Sequence, residues 1–392
     1  MTASASASSA RPPRFGALSD FFSRHRSISI IIGMAIVTAL LPFIVTLPPF
    51  SGFNAQRVWI DAFATAGIFV LLAVGLNIVV GLAGLLDLGY AAFFAIGSYT
   101  YAFAASNFAG QHVSFWPMLL VGAVVAAVFG LLLGAPTLRL RGDYLAIVTL
   151  GFGEIVPIVF RNLRGITNGT DGIPGIDRPE IPPISVGGNT FEIIFNAANP
   201  MSYYVTMAII ITLVLILVYR LQDSRLGRAW QAIREDELAA ASNGVNTVTT
   251  KLLAFALGAT TSGFAGVFSA SKLVFVSPDQ FGFSVSFTIL AMVVLGGMGN
   301  SIGVAVGAFV IYIVQAVMLK QLTQFFQPLD IPILSDIDFV QYQFLLYGIA
   351  LVAMMLLRPE GLFPSRQRAR ELHTAAAEEG SPEGLDSEGS LA

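Results

Sequence analysis

The chain has 392 residues, of which 55% are hydrophobic and 11% charged, whereas an ordinary globular protein carries about 25% charge. That composition excludes a water-soluble enzyme and marks an integral membrane protein, and the net charge of −3 says little because six of the 24 acids lie beyond residue 370. The absence of cysteine excludes disulfides, thiolate metal sites and a cysteine nucleophile.

The first 26 residues are rich in Ser and Ala and carry Arg11, Arg14, Arg24 and Arg26. The apolar run behind them is too long for a signal-peptide core. Residues 1–26 therefore read as a disordered cytoplasmic tail ahead of a retained first helix. A helix crosses the hydrocarbon core with about 20 apolar residues. Spans are expected at 28–47, 58–80, 84–106, 115–136, 143–160, 201–220, 251–272, 283–299, 302–320 and 340–357. With both termini inside, 15 of the 21 Lys and Arg fall on the cytoplasmic side, as the positive-inside rule requires. The expected fold is an all-α integral membrane protein, a polytopic bundle of about ten transmembrane helices, N-in and C-in. Its transmembrane body runs over 27–364, with an extracytoplasmic loop at 161–200, a cytoplasmic segment at 221–250 and a disordered acidic tail at 365–392.

Charge inside the bilayer is expensive and needs an account. Asp61 lies near the outer end of the second span and reaches the interface. Asp87 sits in GLAGLLDLGYAAFFAIGSY (81–99) among Gly81, Gly84, Gly89 and Gly97, a density that predicts a glycine-broken helix. Its carboxylate either accepts hydrogen bonds from freed backbone N–H groups or forms a polar wall of a translocation path. Glu154, in TLGFGEIVPIVFRN (149–162), either pairs with Arg161 or Arg164 at the outer edge or lines the pathway. Asn77, Gly89, Tyr90 and Thr149 complete the pathway or core polar candidates. No second carboxylate or histidine stands at useful spacing, so no catalytic residue is expected. His25, His112 and His373 lie far apart, and no metal site is expected. No G-x-x-x-x-G-K-[ST] occurs, so the chain has no phosphate-cradling loop of its own.

Two polar segments stand out. In 161–200, Thr167, Asn168, Gly169, Thr170, Asp171 and Gly172 form a turn cluster able to receive a docking protein or simply to link two spans. On the other side, residues 228–242 predict one short helix. Trp230 and Ile233 share a face, Arg228, Arg234, Glu235 and Glu237 charge the rest, and Ala239, Ala240 and the helix-ending Gly244 permit close docking.

These strings carry a resemblance. GLAGLLDLGYAAFFAIGSY resembles the glycine-rich third helix of the branched-chain amino acid ABC importer permeases. LRLRGDYLAIVTLGFGEIVPIVFRN with TNGTDGIPGI is similar to the second signature region of their M-type subunit. AIREDELAAASNGVNTVTTKLLAFALGA is similar to the ATPase-coupling loop, and VLGGMGNSIGVAVGAF and LLRPEGLF to the closing segments. The likeness covers about 58–364. The coupling pattern departs at Leu238, which stands where the general importer pattern has Glu, while Ala239, Ala240 and Gly244 fit.

The resemblance implies a permease subunit without enzymatic activity in the cytoplasmic (inner) membrane of a prokaryote. Its partners would be an H-type permease, two cytoplasmic ABC ATPases that use ATP and Mg, an extracytoplasmic binding protein, the lipid bilayer and a small amino acid. This chain would bind no cofactor and no nucleic acid. The competing readings are an ion-coupled secondary transporter using Asp87 or Glu154, or the same ABC type carrying urea or short amides.

Overall fold

The computed structural model describes residues 56–137, 142–186, 189–191, 193–327, 338–358 and 361–363, together with 33, 36–38 and 40–44 of the first apolar run. Both expected tails and most of the first span lie outside the described residues.

Seven described helices are long and apolar enough to cross a membrane. They are α1 (Gln56–Leu82), α3 (Phe115–Thr137), α4 (Asp143–Asn162), α5 (Met201–Gln222), α8 (Thr247–Leu273), the span formed by α9 (Phe283–Gly296) with the 3₁₀ turn Pro278–Phe281 before it, and α10 (Ser301–Phe326). Two shorter apolar helices join them, α2 (Ala91–Ala104) and α11 (Gln343–Leu357). Between α5 and α8 lie α6 (Arg225–Glu235) and α7 (Glu237–Ser242). The molecule is a polytopic helical membrane protein, and among the described residues three two-stranded β pairings lie in its connections.

Helix α8 is the axis of the bundle, packed against α1, α2 and α3. Its sequence explains that position. Gly258, Ala259, Ser262, Gly263, Ala265, Gly266, Ala270 and Ser271 are all buried, and small residues let backbones approach where lipid supplies no hydrophobic drive between helices. Helix α1 is likewise mostly buried, whereas α3 presents Leu120, Val124 and Leu132 outward as an exposed apolar stripe.

The expected break near Asp87 is present. Helix α1 ends in a π-helical turn over Asn77–Leu82, the chain turns irregularly with Gly84 at φ +69, and α2 begins only at Ala91. The second break, between α9 and α10, rests on Gly297 (φ +110) and Gly299 (φ +84). The segment 361–363 docks there: Leu362 N and Phe363 N donate to the carbonyls of Leu295 and Gly296 at 3.0 and 3.3 Å.

One expected helix is two. Asp236 leaves the helical region (φ −153, ψ 111), and its Oδ1 accepts from Leu238 N (2.8 Å) and Ala239 N (3.0 Å). An aspartate that caps the following helix stops the preceding one, so the run divides into α6 and α7. Gly244 (φ +85) follows the end of α7, as expected.

Candidate functional site

The residues expected to carry function fall into three groups. In the broken segment, Asp87 Oδ1 accepts from Gly89 N at 2.9 Å, an Asx-type turn that satisfies one freed donor. Thr149 of α4 closes the segment by accepting from Leu88 N at 3.1 Å. Gly89 is required here because a Cβ would lie 2.0 Å from the Thr149 carbonyl oxygen. Asp87, Gly89 and Thr149 thus meet around a cavity of about 10 Å³ that Phe93, Phe152 and Phe255 also line, room for about one water. Tyr90 points away from it, donating to Gly258 O of α8 at 2.7 Å.

Asn77 belongs to a different junction. Its Oδ1 accepts from Gly299 N (2.9 Å), and its Nδ2 faces the Ser301 hydroxyl at 3.3 Å. Gln222, at the end of α5, donates to the same hydroxyl at 2.8 Å. This buried polar knot ties α1, α5 and the α9–α10 turn. Gln222 and Ser301 were not legible as partners, since each depends on residues 79 or more positions away.

Of the pathway candidates, Asn77, Asp87, Tyr90 and Thr149 are buried in this chain's own core and Glu154 is exposed. Glu154 does not take the arginine partner set out as one alternative. Its Oε1 accepts from Phe283 N at 3.1 Å, at the start of α9, and Arg161 instead pairs with Asp279 at 2.6 Å. The reason is spatial: the turn Pro278–Phe281 lies against α4 and offers Arg161 a carboxylate, and the start of α9 just after it offers Glu154 a helix-start N–H. Asp61, read as reaching the interface, is ion-paired with Lys272 at 2.7 Å.

The turn cluster is built largely to hold itself. Thr167 Oγ1 donates to the Phe160 and Leu163 carbonyls at 2.5 and 2.8 Å. Asn168 sits in the left-handed region and donates to Gly172 O at 2.6 Å. Thr167, Gly169 and Gly172 are buried, leaving Thr170 and Asp171 facing outward.

The third group is α6–α7. Trp230 is fully buried, and its Nε1 donates to Thr250 O at 2.7 Å. Glu237 binds Lys251 at 2.6 Å. Arg234 reaches inward to Gly81 O at 2.5 Å, while Ala240 is buried. Arg228, Glu235, Leu238, Ala239 and Gly244 remain exposed, the apolar Leu238 at 66%.

The turn at Asp87 yields an expected result. Asp87→Ala leaves Gly89 N buried without its acceptor, a loss of about 1–3 kcal/mol, and should lower the melting temperature of the purified protein. Asp87→Asn keeps an acceptor and should melt close to wild type. Equal melting of the Ala variant and wild type would show that the bond contributes nothing.

A bundle of apolar helices with two glycine-broken turns and a charged helical pair between two of its spans is that of a multi-pass membrane protein. Residues 58–355 match the family described as branched-chain amino acid transport system / permease component, and the chain belongs to that family. The high-affinity branched-chain amino acid transport system permease protein LivM of Escherichia coli (strain K12) is 39% identical over 353 residues, 87% of this chain and 77% of that protein. The probable LivM of Methanocaldococcus jannaschii is 27% identical over 310 residues, 74% of this chain and 84% of its own length. Similarity extends to LivH of E. coli K12, 24% identical over 260 residues, 63% of this chain and 80% of LivH. No solved structure matches the chain.

Proposed function

We propose that this chain is one of two permease subunits of an ATP-driven importer of branched-chain amino acids. The observation that carries the reading is the 39% identity to a LivM permease across 87% of the chain. The likeness to LivH supports a heteromeric permease pair. The chain crosses the cytoplasmic (inner) membrane of a prokaryote ten times, with both ends inside.

The complex holds two cytoplasmic ATPases that use ATP and Mg, one of which docks on the exposed face of this chain's α6–α7 at Arg228, Glu235, Leu238 and Ala239, with Ala240 and Gly244 shaping the turn. A binding protein meets the opposite end, where Thr170 and Asp171 face outward. The pathway runs along α4: its outward face carries Gly151 and Glu154 beside Tyr144, Ile147, Ile155 and Ile158. A glycine and a carboxylate at membrane depth fit a partner subunit or a wet path better than lipid. Energy comes from outside the chain, since a permease shifts between two states only as far as its partners contact those states differently.

The test is leucine uptake by cells carrying this chain with its partners, against cells lacking only this chain. Arsenate, which drains ATP, should abolish uptake, and a protonophore added while ATP is held up should leave it. Loss with the protonophore alone would replace this reading with ion coupling through Asp87 or Glu154. No leucine uptake in either strain would overturn the substrate and turn attention to urea or short amides.

A further inference from the structure

We propose that Arg234 is a positioning residue that locks the coupling pair α6–α7 to the glycine-broken membrane segment, so that movement of one is movement of the other. The proposal rests on the importer reading above and adds the route by which ATPase closure reaches the spans.

The route begins where α1 ends. A helix terminus leaves its last carbonyls without intrahelical partners and with partial negative charge. The π-helical turn Asn77–Leu82 places one of them, Gly81 O, within 2.5 Å of the Arg234 Nη1. The arginine stem lies over Gly84, where a Cβ would stand 2.8 Å from Arg234 Cγ. Only a residue without a side chain, free to take φ +69, lets the stem pass. A cation therefore closes a helix end to which it has no sequence proximity: 153 residues separate Arg234 from Gly81.

From Gly81 the line continues in both directions. A Cβ there would lie 2.0 Å from Asn77 Oδ1, the atom that holds the α9–α10 turn at Gly299. Downstream, the same strand of chain runs through Asp87 and Gly89 to Thr149 on α4, five residues from Glu154. On the other side of Arg234, Trp230 and Glu237 fix α6 and α7 to the first turns of α8. The broken segment between α1 and α2 is held by isolated turns rather than a continuous helix, and so has room for two arrangements.

The experiment reconstitutes the full complex in proteoliposomes and reads leucine imported per ATP hydrolysed. Arg234→Met keeps the stem and loses the donor: ATP hydrolysis should continue while import per ATP falls at least tenfold. Arg234→Lys keeps the charge and one donor, and should recover at least a third of the wild-type ratio. A ratio within twofold of wild type for Met, or a Lys variant no better than Met, overturns the proposal. Disappearance of the Met chain from the complex overturns it too, because Arg234 would then serve folding. A wild-type complex that hydrolyses ATP without importing leucine would count against the importer reading instead. The linkage itself is then read without substrate, by spin labels at Ala241→Cys and Leu86→Cys in this cysteine-free chain. Their distance distribution should stay narrow with and without trapped nucleotide when Arg234 is present, and broaden with Met. Equal distributions in both would sink the idea.

Discussion

Gly97→Leu should remove the chain from the membrane, reducing its steady-state level at least tenfold, while Gly348→Leu should leave the level unchanged. Gly97 lies on α2 where that helix crosses α8, and a Cβ there would stand 2.7 Å from both the Cα and the carbonyl oxygen of Gly263. The obstruction is backbone, which cannot rotate aside as a side chain does. Gly263 itself allows α3 to approach, since its own Cβ would meet Gly122 O at 2.6 Å, and Gly266 does the same for α2 at Phe94 O. Three helices thus share one seam of glycines, and prising α2 away loosens α3 as well. Overpacking of this kind costs about 1–3 kcal/mol for a small excess and more where backbone must move, against a total stability of about 5–15 kcal/mol. Gly97→Ala should fall between wild type and Leu. Gly348, on α11, has nothing within 4 Å of its would-be Cβ and reports any general effect of added bulk. Immunoblotting of membranes decides it: a normal level for Gly97→Leu would mean that α2 and α8 separate at little cost.

The sequence was informative wherever the physics is local. Runs of apolar residues marked the spans, and the glycines around Asp87 marked a broken helix because no other residue supplies φ +69 at Gly84 so cheaply. The wet helix between α5 and α8 was legible from its charge, and Trp230 with Ile233 from their spacing. What escaped was set by distant partners. Glu154 and Arg161 are nearly two turns apart on one face, so their pairing was a fair local inference, yet the turn at Pro278–Phe281 supplies Arg161 with Asp279 and the start of α9 supplies Glu154 with Phe283 N. The division at Asp236 was missed because the run 228–242 is made of good helix formers, and only the aspartate's capping geometry reveals the interruption. Nor did composition distinguish polar residues that line a path from those that tie a core. Asn77, Asp87, Tyr90 and Thr149 are all held by bonds within this chain.

The second large effect is expected at the ion pair that seats α7 on α8. Lys251 keeps 6% of its side chain exposed and Glu237 keeps 28%, with 2.6 Å between them. The two halves are unequal. Without Lys251 the part-exposed glutamate still reaches water, but without Glu237 the lysine stays sealed among the helices with its charge uncompensated. Removing one partner of a buried pair costs about 3–5 kcal/mol, whereas replacing both with apolar groups is often neutral. Glu237→Met should therefore destabilise strongly, Lys251→Met less, and the double variant should recover most of the loss. Thermal unfolding of the purified complex measures the three differences. On the proposed docking role of α7, import per ATP in the same proteins should follow the order of stability, because docking needs α7 seated on α8. A double variant as unstable as Glu237→Met would show that packing of the glutamate stem, rather than the unpaired ammonium, sets the cost.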